Sequence, residues 1–182
     1  MAPVSSYAES VWGTCNVENE GLPTLSGTWV YRLEISWDTS GMGDHGMSHI
    51  SFLLELGVCD CACEENLFAF SDTAGTGIGE GGCELLYYGL YECVGDPSFP
   101  ASGPTIKYEH YEGDCEPGGT GSATLYFMSG FAPGDPMVHV DALGIKAGTA
   151  ADKGDLTGVL PLCQCTSPVD GVTWGVIKAV YK

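Results

Sequence analysis

The sequence predicts an all-β protein, a disulfide-stapled β-sandwich of jelly-roll or immunoglobulin-like type with about eight to ten strands. Three observations carry that expectation. The 27 glycines and 10 prolines punctuate the chain at short intervals and leave no stretch with a helical apolar period. The segment Thr28 to Trp37 alternates cleanly between apolar and polar residues. Nine cysteines in 182 residues point to covalent staples.

The strands follow in order. In Thr28 to Trp37, Trp29, Tyr31, Leu33, Ile35 and Trp37 share one face, and Val30, Arg32, Glu34 and Ser36 the other. A period of two belongs to a strand and not to a helix. His49 to Leu56 places Ile50, Phe52, Leu54 and Leu56 together. The run Gly75 to Gly82 (GTGIGEGG) is glycine-rich like a phosphate loop. It lacks the lysine, the preceding apolar strand and the following helix, and reads as a wide β-loop. Cys83 to Val94 is rich in aromatic residues, and Gly89 is expected to break or bulge it. Thr105 to Glu112 and Ser122 to Ser129 read as a pair joined by GDCEPGGTG. Met137 to Ala147 alternates through Val138, Val140 and Ala142, Asp155 to Leu162 is short, and Val172 to Tyr181 closes the chain. So many strands exceed one open, half-solvated sheet, so two packed sheets are expected within a single domain, residues 1–182.

The cysteines fall into a C-x-C-x-C run (Cys59, Cys61, Cys63), a C-x-C pair (Cys163, Cys165) and the separate Cys15, Cys83, Cys93 and Cys115. Structural zinc prefers C-x-x-C knuckles, and none occurs. On a strand, C-x-C sulfurs share a face and reach different partners, so bonds to distant cysteines are expected. Nine is odd, so at least one cysteine is free, metal-bound or paired between chains. This usage places the protein in an oxidising setting, extracellular or on a cell surface.

Charge agrees. Twenty-four acids against six bases give a net charge of −18, which repels nucleic acid and anionic membrane alike. No apolar run reaches membrane-spanning length. The opening Met-Ala-Pro-Val-Ser-Ser reads as a mature N-terminus behind an initiator Met. There is no N-x-S/T glycosylation site.

The loop from Asp38 to His49 gathers Asp38, Asp44, His45 and His49, with Met42 and Met47 between them. His45 and His49 have a spacing that binds metal on a helix face, but the glycines argue against a helix. These four are the candidate metal ligands, yet a polar hairpin loop without a tightly bound transition metal is expected. His49, at a strand start, reads as a packed or capping residue. The acidic loops around Asp60, Asp114 and Asp152 would suit a structural calcium ion, although none has the EF-hand order. No cofactor is otherwise implied. No serine-hydrolase, zincin, dinucleotide or P-loop pattern occurs, so no catalytic residues are assigned and the chain is not read as an enzyme.

The ending TWGVIKAVYK is apolar on both strand faces, with Trp174, Val176 and Val180 on one and Ile177 and Tyr181 on the other. It follows the hinge-like TSPVDG. A strand apolar on both faces wants cover on both, so residues 172–182 are a candidate strand for donation to a neighbour. Val4 to Trp12 is the competing donor. The motif W-G-x-I-K-A-x-Y-K, with SHISFLLELGVC, IKAG and the cysteine after Pro161, resembles secreted bacterial β-rich proteins that carry such a tail. At the level of architecture the chain is similar to subunits of donor-strand pili and other extracellular filaments. The resemblance implies a secreted structural subunit that self-assembles by strand addition, its partners being copies of itself. The alternative is a calcium-assisted carbohydrate-binding or adhesive module with an aromatic platform drawn from Trp12, Tyr87, Tyr88 or Tyr91. A small secreted hydrolase is a second alternative.

Overall fold

The computed structural model describes residues 9–18, 24, 27–43, 45–54, 67–69, 73–100, 103–113 and 115–161. They form ten strands: β1 (Val11–Val17), β2 (Trp29–Asp38), β3 (Met47–Leu53), β4 (Leu67–Ala69), β5 (Gly75–Ile78), β6 (Glu84–Glu92), β7 (Thr105–His110), β8 (Thr120–Ser129), β9 (Met137–Ala147) and β10 (Ala150–Gly158).

All ten belong to one sheet, in the order β2-β1-β10-β9-β3-β7-β6-β5-β8-β4, and β2 also pairs with β8 along its whole length, from Trp29 opposite Ser129 to Asp38 opposite Thr120. The ring therefore closes on nine strands, a barrel and not the expected pair of packed sheets. The physical reason lies in β8. One edge pairs with β2, and the other with β5 and then β4, which lie in line along it. No free edge is left there to end a sheet.

Alternation dictates which residues face inward. Tyr31, Leu33, Ile35 and Trp37 of β2 all point into the barrel. They meet Ile50 and Phe52 of β3, Tyr87 of β6, Ile106 and Tyr108 of β7, and Leu125 and Phe127 of β8 in one continuous core. Phe127 stacks on Tyr31 with ring centroids 4.8 Å apart and packs on Phe52 at 5.0 Å. The outer wall on this side carries Arg32, Glu34, Thr76, Glu84 and Ser122 among the exposed apolar Trp12, Ile78 and Leu86, so the barrel is apolar inside and mixed but charged outside. That is the reverse of a lipid-facing barrel.

The seam between β1 and β10 is the one parallel pair among the described strands, with Gly13 opposite Leu156 and Cys15 opposite Gly158. The strands approach so closely that a Cβ on Gly154 would lie 1.7 Å from the Val11 carbonyl oxygen, and one on Gly158 2.0 Å from that of Cys15. Only glycine fits at these two positions.

Several local expectations are corrected. β7 and β8 are not a hairpin: β7 lies between β3 and β6, and β8 between β2 and β5. β6 runs unbroken through Gly89, which pairs with Tyr108. Half of the glycine-rich loop is strand β5, because a Cβ at Gly77 would sit 2.8 Å from the Ser122 carbonyl oxygen and 2.9 Å from the Tyr87 ring. Val11 and Trp12 belong to β1 in the barrel wall. Cys83 and Cys115 form a disulfide with Cα atoms 5.8 Å apart. Cys93 is also disulfide-bonded, and among the described cysteines Cys15 is a buried free thiol. Cys59, Cys61, Cys63, Cys163 and Cys165 lie outside the described residues, as do Trp174, Val176, Ile177, Val180 and Tyr181.

Candidate functional site

β9 starts as a regular strand and then changes neighbours. Leu143 to Ala147 pairs with β3 on one side and with β10 on the other. Asp141 adopts a left-handed backbone, φ 57°, and its N–H donates to Asp155 Oδ1 at 3.0 Å. Between the Leu143–Gly154 and His139–Leu156 pairs, β9 has three residues, Val140 to Ala142, opposite Asp155 alone, so the bulge lies in β9. The bulge bends β9 at this point, since a bulge bends its strand and strengthens the twist, and the ladder to β3 ends at Leu143. The first half, Met137 to Ala142, keeps β10 beside it only at Met137, Val138 and His139, which pair with Gly158, Thr157 and Leu156. Its β3-facing edge has no ladder partner among the described residues.

Three exposed side chains there are apolar, beside the exposed Asp141. Met137 is 59% exposed, Val138 54% and Val140 65%. A recess of about 270 Å³ lies against them, lined also by Leu53, Ala142 and Leu160. His139 Nε2 lies 3.1 Å from the Gly158 carbonyl oxygen and ties the edge to β10. Gly134 N–H donates to the Leu160 carbonyl at 2.9 Å, and Pro133 bridges to Pro161. The chain thus passes beyond the described residues at Pro161, beside this recess. An unpaired strand edge with apolar side chains is the standard acceptor for another strand.

A second polar arrangement lies on the outer face of β3. His49, Ser51 and Leu53 point away from the core, yet all are buried, because the segment after β6 folds over them. Phe99 from that segment presses its ring on Gly144 and meets His49 edge-on at 6.5 Å. Asp96 Oδ2 accepts from His49 Nε2 at 2.8 Å and from Ser51 Oγ at 2.7 Å, while Oδ1 accepts from the Ser98 N–H at 2.8 Å. Serine, histidine and aspartate are all present, but the carboxylate sits between the other two. A nucleophilic triad needs the histidine in the middle, so this arrangement holds the covering segment in place and has no activated hydroxyl. Burial pushes His49 below the ordinary imidazole range, with Asp96 opposing. Burial alone would raise Asp96, but the bonds from Ser98 and Ser51 and the nearby His49 outweigh it, leaving the carboxyl below its usual range.

The sequence-level candidates do not converge. Asp38 accepts the Ser40 N–H at 3.0 Å and is exposed. His45 is exposed in the following loop, His49 is committed to Asp96, and Asp44 lies outside the described residues. Among the described residues no three His, Cys, Asp or Glu side chains are grouped to hold a metal ion. Of the four aromatic candidates, Trp12 is exposed, Tyr88 and Tyr91 are half-buried and Tyr87 is fully buried. Tyr88 donates to Glu109 at 2.6 Å, and Glu109 also pairs with Lys107. Sequence reasoning missed Asp96 and the edge of β9 that has no ladder partner among the described residues. The turn GDPSFP was the only signal for the first, and the left-handed Asp141 carried none for the second. The chain matches no family model, no curated protein and no solved structure.

Proposed function

We propose that the protein is a secreted structural subunit that associates with copies of itself by strand addition, with the β3-facing edge of Met137–Ala142 as acceptor. One observation carries the reading: nine strands drawn from residues 11–158 complete the ring, so residues 172–182 are not needed to close it. The chain heads toward that segment beside the open edge. Main-chain bonds along the edge supply affinity, and alternate side chains supply register.

Charge supports the match. Two of the six basic residues, Lys178 and Lys182, lie in the terminal segment, which has no acid, and the acceptor edge is flanked by Asp135, Asp141 and Asp155. Burying Met137, Val138 and Val140 under a strand contributes on the order of 1.5 kcal/mol or more for each. Ordering the donor strand offsets part of that.

Truncation after Ser167 tests the proposal. The shortened protein should remain folded by circular dichroism and become monomeric in sedimentation. An unchanged oligomer or fibre rules out the C-terminal donor. Loss of the fold shows instead that the segment belongs to its own subunit's core.

A further inference from the structure

On the outer wall, away from the β9 edge, four strands build a groove of about 780 Å³. Its floor is read directly from the register. One rung runs Glu34–Thr124–Thr76–Leu86 across β2, β8, β5 and β6, and the next runs Ser36–Ser122–Ile78–Glu84. β1 extends the second rung by Trp12, opposite Ser36, and the first by Thr14, opposite Glu34. All these side chains alternate outward with core residues. The wall of a barrel is convex, and here the short Ser36, Ser122, Thr124 and Thr76 lie between Glu34 on one side and Ile78, Leu86 and Glu84 on the other.

We infer that this groove binds a neutral oligosaccharide chain, laid across the strands with one sugar face on Trp12. The chemistry of the lining selects that class. Ser36, Ser122, Thr76 and Thr124 offer hydroxyls that both donate and accept, the pairing that sugar hydroxyls need, and the exposed Ile78 and Leu86 add apolar surface for the C–H faces of a sugar. Glu34 and Glu84 are acceptors at opposite ends of the groove. Glu34 is already oriented, accepting from Thr14 Oγ1 at 3.4 Å and lying 3.6 Å from an Arg32 guanidinium nitrogen. Trp12 stands beside Ser36, just beyond the residues that line the groove, and is 44% exposed; an indole face packs on the C–H face of a pyranose while its edge stays wet. The side chains stand on paired strands, so little ordering cost falls on the protein when a ligand arrives. Two carboxylates at the groove, in a chain of net charge −18, turn away anionic sugars, phosphates and nucleic acids.

Glu34 and Glu84 do not suit cleavage. Their strands are three strand spacings apart, about 14 Å between backbones, where a hydrolytic carboxylate pair works at about 5–9.5 Å. The inference is binding without turnover. It is independent of strand addition, since the groove lies on β2, β8, β5 and β6 and the acceptor edge on β9.

The test is isothermal titration of the full chain with cellohexaose, xylohexaose and mannohexaose as neutral probes, hexagalacturonate as the anionic probe and heptalysine as a peptide probe. At least one neutral hexasaccharide should bind with a dissociation constant at or below about 1 mM, and hexagalacturonate should not. Trp12→Ala should weaken that binding by about tenfold or more, and Glu34→Gln by a smaller factor, with thermal unfolding unchanged in both. Four outcomes overturn the inference: no neutral probe binds, the affinity is untouched by Trp12→Ala, heptalysine binds more tightly than every sugar, or reducing ends are released from the bound probe. Truncation after Ser167 should leave sugar binding intact, which separates failure here from failure of the assembly reading.

Discussion

Removing the Asp96 carboxylate should be among the most damaging single changes on the outer wall. In Asp96→Ala three buried donors lose their partner together: His49 Nε2, Ser51 Oγ and the Ser98 N–H, which bond at 2.8, 2.7 and 2.8 Å. Each bond to an ionised group contributes about 1.5–3 kcal/mol, and each buried donor left alone costs about 1–3. These contributions overlap, and truncating one partner of a buried charged network costs about 3–5 kcal/mol in all. With a urea slope of about 3 kcal/mol/M, the unfolding midpoint should fall by about 1 M or more. Asp96→Asn should cost less. Its carbonyl still accepts from Ser98, and its amide can donate to Ser51 or to the other His49 tautomer. The pH dependence adds a second check. Both folded-state pKa values lie below the ordinary ones of 6.5 for His49 and 3.8 for Asp96. The unfolded chain therefore takes up protons first as pH falls. The His49 contribution is present above pH 6.5 and is lost on acidification from there. The Asp96 contribution persists until the pH drops below 3.8, and with it the gap between wild type and Asp96→Asn should close. A loss under about 1 kcal/mol for Asp96→Ala, or a gap that widens with acid, would refute this account of the network.

Other outcomes follow from the same structure. Cys83→Ser/Cys115→Ser opens a loop with a sequence separation of 32 and should lower stability by about 3.7 kcal/mol at 25 °C in urea titrations at equal protein concentration. Burial pushes the Cys15 thiol up to about 12, so iodoacetamide should label it only as fast as the barrel opens, and the labelling rate should match the unfolding rate. Phe127→Ala removes a ring packed on both Tyr31 and Phe52 and should cost about 3–5 kcal/mol, with Phe127→Leu costing less than half of that. Non-reducing peptide mapping should show Cys59, Cys61 and Cys63 bonded outside their own cluster, and a bond between neighbours in C-x-C would contradict the strand-face argument.

The parts of the fold that were legible from the sequence are those where alternation is local. Tyr31 to Trp37 announces an inward face because each side chain's environment repeats every second residue, whereas Met137–Ala147 was legible as a strand by its first few residues but not in its facing, since Val138 and Val140 are exposed and Ala142 to Ile145 are all buried. Pairing was not legible. That Thr120 lies beside Asp38, and not beside His110, depends on contacts remote in sequence, and a one-residue change of register would move a whole face. β5 was hidden because the glycines that admit Tyr87 and the neighbouring strands look like loop residues when read alone. The candidate sites divide in the same way. His49 was correctly expected to pack, whereas its partner Asp96 stands 47 residues away with no local pattern to announce it.

The glycine-lined seam between β1 and β10 has a consequence for how the molecule is made. Val11–Val17 forms early in synthesis, but its β10 edge stays open until Leu156 to Gly158 arrives, about 140 residues later. Among the described strands this pairing is the most distant in sequence, and β-structures dominated by such distant pairings fold in milliseconds to seconds. Until then two strand edges stand open, each able to pair with another nascent chain. Speed of closure, more than final stability, therefore sets how much newly made protein reaches the finished ring. Substitutions at Gly154 or Gly158, which hinder that last approach, should show themselves first as aggregated product.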